Sequence, residues 1–116
     1  MKFTDLNRWK EAHKLVLQVY KLTDIFPQKE QFSLTDQMRR AVVSVSSNIA
    51  EGFTRFGRKE KRQFYFIAKA SLTELESQLI ISKDVGYIEQ VELTGVLNQT
   101  EVVGRLLSGL IRSIHS

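Results

Sequence analysis

Residues 33–52 read SLTDQMRRAVVSVSSNIAEG, and their apolar members Leu34, Met38, Ala41, Val42, Val45 and Ile49 recur at steps of three and four. That spacing puts all six on one face of an α-helix and does not fit the alternation of a half-buried strand. The periodicity predicts a helix over about 34–51, with Gly52 as its stop. Beside the apolar stripe runs a polar one: Arg40, Ser44, Ser47, Asn48 and Glu51 fall at i, i+4, i+7, i+8 and i+11. It is either a solvated face or a partly buried hydrogen-bonded network that fixes helix register. In the network reading, Arg40 seeks a carboxylate such as Glu74 on a later helix, and Asn48 or Gln78 closes the remaining donors and acceptors. A catalytic reading ranks below both, because a serine nucleophile needs a base within reach and the chain holds only His13 and His115.

Working outward, IFPQKEQF precedes this segment, and Pro27 disfavours a helical Phe26, so the stretch is a connection. Before it, Leu6, Trp9, Ala12, His13, Val16, Val19, Tyr20 and Thr23 share a helical face over about 6–23. After it, GFTRFGRKEKR leads into a helix over about 58–85, roughly 40 Å long, with Phe64, Ile67, Ala68, Ser71, Leu72, Leu75, Leu79 and Ser82 on one side. Gly86 ends it. A fourth helix, about 90–114, follows Leu93, Val96, Leu97, Val103, Leu107, Ile111 and Ile114, although Gly95, Gly104 and Gly109 weaken it by up to about 1 kcal/mol each. Four amphipathic segments with short connections predict an all-α, up-down-up-down antiparallel four-helix bundle. No linker or repeat divides residues 1–116, so one domain is expected.

Composition narrows the function. There is no cysteine, which excludes disulfides, thiolate metal sites and cysteine nucleophiles and suits a reducing cytoplasm, the expected location. No segment approaches the roughly twenty apolar residues of a membrane span, and the N-terminal residues have no signal core. Glu-x-x-His pairs, a Walker loop and a dinucleotide fingerprint are absent, so no metal, cofactor or small-molecule substrate is expected. Glu74 and Glu76, two apart on a helix, point in different directions and make no acid/base pair. His13 reads as a core-edge residue and His115 as part of a fraying tail. We expect no enzyme; a histidine-dependent hydrolase is a remote alternative.

Two surpluses remain. Leu15 and Leu22 on the first helix, Phe66, Ala70 and Ile81 on the third, and Leu106 and Leu110 on the fourth lie off or broaden the expected core stripes. Single exposed apolar residues mean little, but recurrence on three helices predicts a second buried surface and hence a homo-oligomer. The second surplus is charge. Net charge is +4, yet residues 1–62 carry 13 Lys/Arg against 7 Asp/Glu, while residues 63–116 carry 4 against 6. Arg55, Arg58, Lys59, Lys61 and Arg62 cluster within eight residues, opposed only by Glu60. Arg58, Arg62, Tyr65 and Lys69 continue the cluster at helical spacing as a cationic ridge with one ring beside it. Phosphates suit such a ridge, since each neutralising cation releases counterions, and Phe53 and Phe56, interleaved with Arg55, would stack on unpaired bases if exposed. Arg39 is a weaker candidate contact. The bland reading is a solvated cluster, with the two phenylalanines pinning the loop to the core.

A resemblance adds to this. The string LTDQMRRAVVSVSSNIAEGFTRFGRKEKRQFYFIAKASLTELESQL resembles the four-helix bundle proteins encoded within intervening sequences of bacterial 23S ribosomal RNA genes. It carries their Q-x-R-R-A at Gln37, Arg39, Arg40 and Ala41, and their S-x-x-S-N-I-A-E-G at Ser44, Ser47, Asn48, Ile49, Ala50, Glu51 and Gly52. The aromatic-rich stretch matches at Phe64, Ala68, Ser71, Leu72, Glu74 and Leu75, and the F-P-x-x-E connection at Phe26, Pro27 and Glu30. The resemblance implies a ring-like homopentamer with no catalytic residues. It is also similar in architecture to the accessory proteins of diversity-generating retroelements, basic pentamers that bind nucleic acid and a reverse transcriptase. The expectation is therefore a non-enzymatic oligomeric bundle that binds RNA or DNA through Arg55, Arg58, Lys59, Lys61, Arg62 and Lys69. The alternative is a protein-interaction scaffold kept soluble by the same cations.

Overall fold

The computed structural model describes residues 1–114 of the chain; His115 lies outside the described residues. The described residues contain four long helices, α1 (Asn7–Thr23), α2 (Leu34–Thr54), α3 (Arg58–Asp84) and α4 (Gln90–Ser113), and no strand. Single 3-10 turns at Phe3–Asp5 and Gln28–Glu30 precede α1 and α2. α1 packs on α2 and α4, and α3 packs on α2 and α4, so the four close around one core in a body of 43 × 24 × 23 Å. At 1.5 Å per residue the 27 residues of α3 span that long axis.

The core follows the apolar periodicity, with one helix turned. On α2, Met38, Ala41, Val42, Val45 and Ile49 are buried as their spacing requires. On α1 the buried line is Ala12, Leu15, Val19 and Leu22, while His13 and Tyr20 are exposed and Trp9 and Val16 half-buried. Leu15 and Leu22, expected as surplus, are core residues. Both candidate stripes contain Ala12 and Val19, and the helix turns so that two leucines replace two rings with polar tips, a more favourable transfer from water. On α3, Tyr65, Ala68, Leu72, Leu75 and Leu79 are buried, Phe64 is half-buried and Ile67 faces solvent. Tyr65, assigned from spacing to the cationic ridge, is thus a core side chain, 2% exposed.

Three helix ends show how the sequence is read locally. Gly86 follows α3 in the left-handed region at φ 90°, where a side chain would be strained, and it turns the chain toward α4. Gly52 does not stop α2. The helix runs three residues past Glu51 to Thr54, and residue 52 is glycine for another reason: a Cβ there would stand 2.5 Å from Cε1 of Tyr65. The third is the start of α4, where Glu92 accepts a hydrogen bond from the Glu89 N–H (2.8 Å). Beyond α3, the Tyr87 hydroxyl donates to Glu30 (2.6 Å) and its ring meets Phe26 at 5.3 Å, so the α1–α2 and α3–α4 connections sit together. Accordingly the Glu30 carboxyl is held below its ordinary range by hydrogen bonds from Ser33, Tyr87 and the Leu34 N–H, and Tyr87 is raised by its bond to Glu30.

Candidate nucleic-acid interface

The turn between α2 and α3 is set by the approach of Gly52 to Tyr65, which draws the last turn of α2 onto the first turns of α3. Burial pushes the Tyr65 hydroxyl above its ordinary pKa, and the neighbouring Arg8 guanidinium opposes that shift without cancelling it. Only Arg55, Phe56 and Gly57 separate the helices. Phe56 is fully exposed at this turn, whereas Phe53 is half-buried on the helix behind it.

The seven predicted contact residues divide by what they touch. Lys61 donates to the carbonyls of Gly52 (3.1 Å) and Phe53 (2.9 Å), and its Nζ lies 5.8 Å from the Phe53 ring centroid. It neutralises the carbonyl end of α2, where a cation is favoured by the helix dipole. Arg39 does the same for α1: it donates to Thr23 Oγ1 (2.9 Å), Asp24 Oδ1 (3.1 Å) and the Tyr20 carbonyl (3.4 Å), and stacks on the Tyr20 ring at 4.6 Å. Arg39 therefore stands away from the turn. Arg55 pairs with Glu51 (3.0 Å) and covers the Phe64 ring at 4.7 Å. Arg62 lies over the Phe66 ring at 5.5 Å. Among the described residues Arg58 and Lys59 have no ion-pair or hydrogen-bond partner for their side chains, and both are exposed in the first turn of α3. Among the described residues no side chain caps that helix start, which leaves its first N–H groups without a capping acceptor beside the two cations. Lys69 lies further along, in a groove between α3 and α4 with Arg105 and Arg112. Sequence reading missed those two arginines because their half of the chain is net acidic; only the packing of α4 on α3 brings them to Lys69.

The expected polar network forms in part. Asn48 Nδ2 donates to the Ser44 carbonyl (2.8 Å) and Oγ (3.0 Å), and the Ser44 and Ser71 hydroxyls bond at 2.9 Å across α2 and α3. Arg40 is no part of it. Its side chain is 79% exposed and pairs with Asp36 one turn back (2.9 Å) instead of reaching Glu74. Glu51 likewise faces solvent and holds Arg55, because a local i, i+4 partner needs no desolvation of either charge. Glu74 accepts from Gln78 Nε2 (3.2 Å) on its own helix, leaving the buried Gln78 Oε1 without a partner among the described residues. His13 stacks on Trp9 at 4.8 Å in an exposed position. No group of three or more His, Asp or Glu is gathered as metal ligands among the described residues, and no helix is long and apolar enough to cross a membrane.

Comparison with known proteins agrees with this architecture. The family described as 23S rRNA-intervening sequence protein matches residues 4–109. A solved structure from Bacteroides thetaiotaomicron, described as a protein of unknown function from the S23 ribosomal protein family, superposes with a TM-score of 0.84. It is 19% identical, and the match covers 90% of this chain and 97% of that one, a likeness of fold. No curated protein matches the chain.

Proposed function

The chain belongs to the 23S rRNA-intervening sequence protein family, and from that premise we propose that it is a non-enzymatic, cytoplasmic nucleic-acid-binding protein. In this reading the bundle is up-down-up-down and antiparallel, assembles as a ring-like homopentamer, and binds RNA through the positive α2–α3 end of each copy. The short α2–α3 and α3–α4 connections and the Tyr87–Glu30 bond support that topology. Assembly draws support from α3, where Phe66, Ile67, Ile80 and Ile81 are each 46–48% exposed on sides away from the Leu72–Leu79 core. The perturbed groups Glu11, Glu30, Tyr65 and Tyr87 all answer to burial or to hydrogen bonds within the fold.

The observation that carries RNA binding is Phe56, fully exposed between Arg55 and the pair Arg58 and Lys59, whose side chains have no partner among the described residues. An exposed ring flanked by cations offers a base a stacking platform and its phosphates a counter-charge. A ring of copies multiplies a modest affinity on one strand. The test is a fluorescence-anisotropy titration of labelled RNA at low and raised salt, comparing wild type with R58E/K59E. The account expects affinity that falls steeply with salt and is largely lost in the variant. Absence of binding at low salt overturns it. The scaffold reading draws on the same exposed apolar residues of α3 and expects a polypeptide partner whose binding R58E/K59E leaves intact.

A further inference from the structure

The net-acidic half of the chain, residues 63–116, has four cations, Lys69, Lys83, Arg105 and Arg112, and the fold gathers three of them in the α3–α4 groove. The groove has a volume of about 550 Å³. Leu72 lies at its floor, opposite Gly104, where a Cβ would stand 3.4 Å from Leu72 Cδ2. Because only residues 85–89 separate α3 from α4, the groove sets the first half of α3 against the last half of α4. On that side of the Leu72–Gly104 level lie Lys69, Arg105 and Arg112. Beyond it lie Glu76 and Glu101. Lys69 follows Arg62 by two helical turns, roughly 10 Å, and Arg112 follows Arg105 by the same interval on the facing helix. Glu101 approaches Arg105 at 3.9 Å with the two side chains 67% and 72% exposed, a pairing too solvated to occupy the arginine.

Building on the RNA-binding reading, we propose that this groove continues the interface: a phosphate backbone leaving the α2–α3 turn passes Arg62 and Lys69 and is held by Arg112 and Arg105. Glu76 and Glu101 end the track by repulsion. The groove thus gives the strand a direction along the molecule, from Phe56 toward α4. Labelled oligouridine RNA, titrated against the full chain over a series of salt concentrations, tests it with three variants. R105A/R112A should weaken binding several-fold and flatten the salt slope by about 0.7 for each phosphate of the single strand that the variant no longer neutralises. E76Q/E101Q should tighten binding, an effect that a merely structural role for the groove does not produce. If R58E/K59E weakens binding while R105A/R112A matches wild type, the track is overturned and the end cluster stands. Wild type that binds no oligouridine at low salt overturns both. Altered sedimentation of R105A/R112A with unchanged RNA affinity assigns the groove to contact between copies and overturns the track.

Discussion

A methyl group added to Gly52 would meet the Tyr65 ring at 2.5 Å, and that ring is itself buried in the core, so one of the two must shift. Gly52→Ala should therefore destabilise the fold by about 1–3 kcal/mol, although helix propensity alone favours alanine by up to about 1 kcal/mol. Urea denaturation measures it; a variant as stable as wild type contradicts the close approach. Glu30 and Tyr87 make a second prediction. The folded Glu30 carboxyl is depressed, so its contribution is present above the ordinary carboxylate range and lost as pH falls through the folded value. Tyr87 is raised, so its contribution is present below the ordinary phenol range and lost as pH rises through the folded value. Tyr87→Phe should reduce the alkaline loss, leaving the share that buried Tyr65 contributes, and soften the acid one in thermal melts followed against pH. An unchanged profile at both ends contradicts the clasp. Neither residue's role was legible in the sequence: Gly52 reads equally well as a helix stop, and the Glu30–Tyr87 pair joins positions 57 apart.

The helices themselves were legible because their apolar residues recur at helical steps, and the α3 end was legible because Gly86 marks it. The face of α1 was not, since Leu15–Leu22 and His13–Tyr20 are competing flanks of one apolar arc and only packing between α2 and α4 decides between them. The positive cluster was legible as a cluster, but not the division of labour inside it. Lys61 serves the end of α2 and Arg39 the end of α1, as a cation near any helix C-terminus can. Lys61→Met should thus cost about 1 kcal/mol of stability, whereas Arg58→Met should stay within about 0.5 kcal/mol of wild type; chemical denaturation separates the two. Equal effects contradict the distinction. Phe56→Ala should also leave stability unchanged, since the ring buries nothing in its own chain. The effect should appear in RNA affinity, weaker by about 1–3 kcal/mol if a base stacks there. Affinity equal to wild type contradicts stacking.

At the scale of the whole molecule, the proposed assembly would draw on α3 and α4, because Leu15 and Leu22 of α1 are consumed by the protomer's own core. Phe66 and Ile81 remain half-exposed on α3, and Leu106 and Leu110 are partly covered on α4. In the proposed assembly each copy would present one exposed ring and its cations at the α2–α3 turn. Ile81→Asp, a surface change in the single chain, should dissociate the assembly while leaving the helical circular-dichroism spectrum intact. Sedimentation velocity of the protein with labelled RNA, beside R58E/K59E, tests the central claim most directly. The account predicts wild-type protein larger than one chain and carrying the RNA with it at low salt, and a variant of the same size that leaves the RNA free. Single chains at micromolar concentration, with RNA sedimenting alone beside the wild type, would contradict it.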